Sequence, residues 1–151
     1  MQIFIANNNE IESGELNEFE SKHCIKVLRK VPGDEIKITN GCGDLFIAKI
    51  TKTSSNKCSF EIVDKVHKQK TSPPLHIAIA PTKSIDRFEF FLEKCTEIGI
   101  SEITPMVCFH SERKNIKLER LKKIIISACK QSKNFHFPKL NEITPFKKII
   151  N

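Results

Sequence analysis

Tryptophan and tyrosine are both absent from this 151-residue chain, and only five glycines and two methionines occur. Without Trp or Tyr, stacking on a nucleobase falls to the eleven phenylalanines, most of which sit in patterns that read as core. G-x-G-x-x-G, G-x-x-x-x-G-K-S/T and G-x-S-x-G are all missing, so no self-sufficient phosphate cradle or hydrolase elbow is encoded. The six cysteines, at 24, 42, 58, 95, 108 and 129, form no C-x-x-C pair, which excludes a zinc ribbon or dithiol redox motif. The five histidines never fall at the i, i+4 spacing of a helical metal site. No apolar run approaches the roughly 20 residues of a membrane span, and the first residues do not read as a signal peptide. A reduced cytoplasmic setting, free thiols and no membrane partner are therefore expected.

Charge is present in surplus. The formal net charge is +7 and the pI about 9.1, which allows an anionic partner without requiring one. From Arg113 onward eleven Lys or Arg residues stand against Glu119 and Glu142, a local excess of nine. Such a tail is either the solvated side of helices or a polyanion-binding surface.

The chain is organised around Lys83 to Pro105. Ile85, Phe88, Phe91, Leu92, Cys95 and Ile98 recur at three- and four-residue steps and predict one face of a helix. Asp86 suits its positive end, and Gly99 suits the left-handed C-cap that ends it. An apolar run, Leu75 to Ala80, precedes this helix, and the largely β-branched or apolar Ile100 to Cys108 follows it. Strand, helix and strand at this spacing make one βαβ unit.

Upstream, Met1 to Ala6 reads as a strand and Asn7 to Asn9 as a polar turn. Asn17 to Lys30 reads as a helix with Phe19, His23, Val27 and Leu28 on one face. Pro32-Gly33-Asp34 stops it. Glu35 to Thr39 and Asp44 to Ile50 flank the glycine-containing turn Asn40 to Gly43 as a hairpin, and Cys58 to Val63 adds a strand. These short strands predict a small, partly closed β-barrel. Lys65 to Pro74 lacks periodicity and ends in two prolines, which places a domain boundary between 1–70 and 71–151. After Cys108 come a loop to Asn115, a second amphipathic helix burying Leu118, Leu121, Ile125 and Ala128, and an irregular or short-strand stretch from Phe135 to Pro145. A parallel sheet this small leaves a face to cover, so the second domain reads as unfinished or completed by a partner.

Two positions suit a ligand. Lys83 directly follows one predicted strand, and Ser111-Glu112-Arg113 follows the next. Ligands of open α/β sheets bind beyond the carboxyl ends of strands; the alternative is two exposed charged loops. His23, alone on an apolar face, reads as a satisfied, half-buried histidine.

Taken in order, these segments resemble a family. His23-x-x-x-Val27-Leu28-Arg29, Pro32-Gly33-Asp34 and Asn40-Gly41 are similar to the H-x-x-x-V-L-R…G-D and D/N-G segments of small-subunit rRNA uridine N3-methyltransferases. These are the RsmE-type members of the SPOUT, or trefoil-knot, class. Lys83-x-x-Asp86-Arg87 with Lys94-x-x-Glu97-x-Gly99 resembles its K-G-D-R…K-A-T-E-L-G. Ile103-Thr104-Pro105 and Ser111-Glu112-Arg113 resemble its I-x-P and S-E-R, and Ala128-x-x-Gln131-Ser132…Pro138 its A-x-x-Q-S-x-R…P. Lys133-Asn134 stands where the family has Arg. The family's G-P-E-G-G and L-G-x-x-I-L-R-x-E-T-A cofactor loops are absent.

The resemblance implies an N-terminal PUA-like barrel that binds RNA, followed by the first part of an α/β-knot domain, in an α+β to α/β fold. It implies S-adenosylmethionine as cofactor and a homodimer for the full-length family. With the two loops absent, this chain is expected to be an N-terminal portion that lacks the knot and the cofactor site and does not itself bind the cofactor. The implied partner is 16S rRNA in the small ribosomal subunit. Uridine N3 must shed its proton as it is methylated, and a cation at the O2–N3–O4 edge would stabilise the negative charge. Arg113 is the candidate catalytic residue for that role, with phosphate contact the alternative. His23, Arg29, Lys30, Lys83 and Gln131 are the candidate RNA contacts. The rival functions are a non-catalytic RNA- or ribosome-binding module and an α/β protein gripping a protein partner through its basic helix.

Overall fold

The computed structural model describes residues 2–70 and 73–150, in two compact units, 1–69 and 70–151. In the first unit, β1 (Ile3–Ile5) pairs in parallel with β2 (Glu35–Thr39), and β2, β3 (Asp44–Thr53) and β4 (Cys58–His67) form an antiparallel meander. The sheet order is β1-β2-β3-β4. A bridge between Glu15 and Ser59 lays the preceding segment along β4 and partly closes the sheet. Inward-facing Phe4, Ile36, Ile38, Phe46, Ala48, Ile50 and Phe60 make one apolar core.

Two expectations are corrected here. The asparagine run is a helix start, not a turn: Asn7 caps α1 (Asn8–Ser13). Its Oδ1 accepts from Glu10 N at 2.9 Å while Glu10 Oε2 accepts from Asn7 N at 2.8 Å, a reciprocal capping box. The next helix turns a different face inward. In α2 (Glu18–Lys22), Phe19 is 78% exposed and Glu20 and Ser21 are buried. Ser21 Oγ donates to Leu16 O and accepts from Cys58 N, so this hydroxyl is satisfied in the core. A π-helical turn, His23–Val27, follows, closed by Leu28 N donating to His23 O at 3.0 Å. The wider turn shifts the phase, so Cys24 is buried while Val27 is 65% exposed.

The predicted linker also begins later than its sequence suggests, because Lys65 to His67 complete β4. They do so through Asp44, whose Oδ1 lies 2.7 Å from His67 Nδ1 and whose Oδ2 lies 3.0 Å from Lys65 Nζ and accepts from Asn40 Nδ2. Hydrogen bonds from His67 and then Lys65 hold this carboxyl down at about 2, from an ordinary 3.8. A depressed folded pKa gives stability that is complete above the unfolded value and disappears as pH falls through the folded one. Asp44→Asn should therefore melt below the wild type above pH 3.8, and the two curves should converge near pH 2. A melting-temperature gap that stays constant across this window would refute the assignment. The rest of the predicted linker includes Thr71 and Ser72, which lie outside the described residues.

In the second unit β5 (His76–Ile79) and β6 (Glu102–Val107) are parallel neighbours joined through α3 (Ile85–Ile98). After α4 (Leu118–Ser132), β7 (Lys139–Leu140) and β8 (Thr144–Pro145) both pair in parallel with β6. Ile77, Ile79 and Ile103 pack with Phe88 and Leu92 of α3 and Leu121, Ile125 and Cys129 of α4. The alternate strand positions carry polar groups instead. Thr104 Oγ1 sits 2.7 Å from His76 Nε2 and accepts from Asn141 Nδ2, which also donates to Glu102.

The predicted α3 face holds except at its end: Ile98 is 81% exposed. It lies six residues beyond Leu92, about 240° round the axis at 100° per residue. Among the described residues no helix is long and apolar enough to cross a membrane, and all six cysteines are free.

Candidate functional site

The candidate site lies where β5 and β6 end. Pro81 cannot continue the β5 ladder as a donor, and the chain turns through Thr82 to Ser84 into α3. Beyond β6, Ser111 Oγ accepts from Cys108 N at 2.8 Å and Ser111 N donates to Cys108 O at 3.1 Å. This tight side-chain turn sends Glu112 and Arg113 back toward the first loop. Arg113 then joins the two: its Nε donates to Thr82 O at 3.1 Å and its Nη2 to Lys83 O at 2.7 Å. Lys83 Nζ lies 3.7 Å from Glu112 Oε1.

The clasped loops border two cavities. One, of about 660 Å³, is lined by Lys83, Glu112, Arg113, Lys114 and Asn115. The other, of about 290 Å³, has Ile85, Ile116 and Leu121 as an aliphatic floor, with Arg113 and Asn115 at its junction with the first. Glu89 and Arg120 wall it: Arg120 Nε stands 2.6 Å from Glu89 Oε1, and its Nη2 donates to Oε2 at 2.7 Å. This ion pair, with one hydrogen bond, links α4 to α3. Three cations against one carboxylate around the larger cavity favour an anionic ligand.

Lys83 and Arg113 are thus brought together, and Arg113 spends two of its donors on the backbone. Gln131 is exposed on α4, ten residues beyond Leu121 and so about 15 Å along the helix. His23, Arg29 and Lys30 cluster in sequence at the π-helical turn of the first unit. The His23 ring pairs with Gln2 Nε2 at 2.9 Å and meets Phe4 edge-on, which matches a satisfied, half-buried histidine. Arg29 is exposed and held at φ 53°, and Lys30 Nζ donates to Glu35 O at 3.4 Å. Lys114, Asn115 and the Glu89–Arg120 pair escape sequence reasoning, because residues thirty-one apart carry no spacing signal. Among the described residues no group of three or more side chains could hold a metal ion.

Lys83, Arg113 and Lys114 suit an anionic group in the larger cavity better than a sulfonium. The cationic loops thus present a substrate-side surface.

Comparison with known proteins places both units. Residues 69–151 match the family described as an RNA methyltransferase domain, and residues 16–63 match an RNA methyltransferase PUA domain. A ribosomal RNA small subunit methyltransferase E from Buchnera aphidicola is 34% identical over 139 residues, covering 83% of this chain and 54% of the relative. A structure described as a probable rRNA-methyltransferase from Porphyromonas gingivalis is 38% identical with a TM-score of 0.91, over 99% of this chain and 63% of its own. The methyltransferase E of Neisseria gonorrhoeae, solved bound to S-adenosyl methionine, is 26% identical with a TM-score of 0.80, over 99% of this chain and 64% of its own. The chain spans about half the length of the curated relatives it matches.

These findings correct the expectation of an N-terminal portion without knot or cofactor site. A cofactor-bound relative superposes on 99% of this chain, so almost every residue has its counterpart in a cofactor-carrying protein. Backbone groups can hold a ligand without any particular side chain, and two absent loop sequences are not by themselves an absent site.

Proposed function

This chain belongs to the RNA methyltransferase domain family, with a PUA-like unit followed by the SPOUT α/β unit, and on that footing we propose that it serves S-adenosylmethionine-dependent methylation of uridine N3 in small-subunit ribosomal RNA. The observation that carries the reading is the pair of cationic loops clasped at the carboxyl ends of β5 and β6, within a chain whose relatives are rRNA methyltransferases. The proposal includes an RNA-gripping domain over 1–70, a methyltransferase domain over 71–151, a homodimer and a cytoplasmic location. The cofactor would supply an electrophilic methyl group.

The chain's own residues handle the nucleic acid. Arg29 and Lys30, with His23 beside them, contact phosphates, which positions RNA without reading its sequence. Lys83 and Gln131 do the same from the second unit. Arg113 has a different task. Its Nε and Nη2 are committed to Thr82 and Lys83 carbonyls, so the guanidinium is fixed in orientation, and Nη1 is left for the O2–N3–O4 edge. A preorganised cation there stabilises the charge that develops as N3 loses its proton.

The test is a calorimetric titration with S-adenosylmethionine, followed by methyl transfer from labelled cofactor to small-subunit rRNA. Saturable binding at one site per chain and label on uridine N3 are expected. A folded chain that binds the RNA, takes up no cofactor and transfers no label would overturn the enzyme reading in favour of a non-catalytic RNA-binding module.

A further inference from the structure

The two cavities that meet at Arg113 and Asn115 differ in kind. The larger is ringed by Lys83, Arg113 and Lys114, and its one carboxylate, Glu112, already leans on Lys83 at 3.7 Å. The smaller sets Ile85, Ile116 and Leu121 beside the Glu89–Arg120 ion pair and Lys117. A ligand filling both needs an anionic group joined by a short link to a body with apolar faces and hydrogen-bonding edges. A simple anion would use the first cavity and leave the second empty. An aliphatic or aromatic hydrocarbon would do the reverse.

We infer that the paired cavities form a subsite for one unstacked pyrimidine nucleotide of RNA, its phosphate on Lys83 and Lys114 and its base against Ile85 and Ile116. The inference rests on the rRNA reading above and adds to it a place and a size. At about 290 Å³ the smaller cavity is of a size to take a single base. At the mouth, Arg113 Nη1 and the Asn115 amide have no partner among the described residues, so both can meet the base edge. With Nε and Nη2 anchored, Nη1 is a directed donor rather than a mobile one. Lys114 likewise has no ion pair among the described residues, which keeps its full charge available. No aromatic side chain lines either cavity, so the base is gripped by aliphatic contact and edge bonding, and purine stacking gives no advantage.

The experiment titrates the full chain with uridine 5′-monophosphate, uridine and inorganic phosphate, then with a short oligouridylate across salt concentrations. The monophosphate should bind more tightly than either uridine or phosphate alone, since each of those fills one cavity. For the oligouridylate, Lys114→Gln should reduce the salt slope of log K by about 0.7, one phosphate contact on a single strand. Asn115→Asp, on an exposed loop where the fold is not at risk, should weaken the monophosphate more than free uridine. Equal affinity for uridine and its monophosphate, or an unchanged slope in Lys114→Gln, would overturn the inference. Phosphate binding as tightly as the monophosphate would overturn it too, leaving only an anion patch. The two readings fail separately. Monophosphate binding as described without methyl transfer sinks the enzyme reading alone, and methyl transfer with an RNA KM indifferent to Lys114→Gln sinks the subsite alone.

Discussion

Phe88→Ala should lower the unfolding free energy by about 3–5 kcal/mol, the usual cost of emptying a buried phenylalanine site. Phe88 is 1% exposed and sits among Leu92, Ile103, Leu121 and Ile125, where both helices and the sheet converge. Its ring centroid lies 6.3 Å from that of Phe91, so the deletion also removes an aromatic contact. Domains are stable by roughly 5–15 kcal/mol, so this one change takes a large fraction of the total. With no Trp or Tyr in the chain, urea unfolding is best followed by far-ultraviolet circular dichroism. Phe90, two residues away and 63% exposed, is the internal control, and its alanine variant should stay within about 0.5 kcal/mol of wild type. Equal losses at the two positions would contradict the burial described here.

Gly14→Ala should cost about 2 kcal/mol or more, from two independent causes. Gly14 closes α1 at φ 67°, where a side chain costs roughly 1–2 kcal/mol. An added Cβ would also stand 2.7 Å from the carbonyl oxygen of Phe60, closer than real Cβ atoms come. Neither partner can retreat cheaply, because Phe60 N donates to Gly14 O at 2.7 Å and fixes the two backbones together. Gly33 separates the causes. It shares a positive φ, 96°, but has nothing within 4 Å of a built Cβ. Gly33→Ala should therefore show the conformational cost alone and be the milder variant. If the two variants unfold at the same urea concentration, the close approach at Phe60 is not a determinant of stability.

The sequence made the second unit's βαβ core legible because its signals are local and periodic. Phe88, Leu92, Leu121, Ile125 and Ala128 are all buried as their spacing predicts, and Gly99 caps α3 with φ 98°. The first helices were harder to read. Asn7-Asn8-Asn9 has turn composition, and only Glu10 three residues after Asn7 marks a helix start. The inward face of α2 is made by Glu20 and Ser21, polar residues that no hydrophobic pattern selects. The tail of the sheet fails for a different reason. Register to β6 is offset by 37 residues at β7 and by 38 at β8, so an extra residue breaks the alternation that would mark one strand. At the candidate site, Lys83 and Arg113 are predictable from strand-end placement. Their junction through the Thr82 and Lys83 carbonyls is not, since a backbone acceptor has no sequence identity.

The π-helical turn at His23–Val27 bears on how this segment can change length. A π turn holds one residue more than the α turn it replaces, and Leu28 N reaching His23 O is the bond that accommodates it. Losing one residue there would leave a continuous α-helix, so a single-codon deletion is structurally cheap. Everything after it would keep its place about the axis, Arg29 and Lys30 included, because the wider turn absorbs the extra residue locally. Among lineages that share this unit, that one codon can then be gained or lost without re-aiming the basic end of the helix.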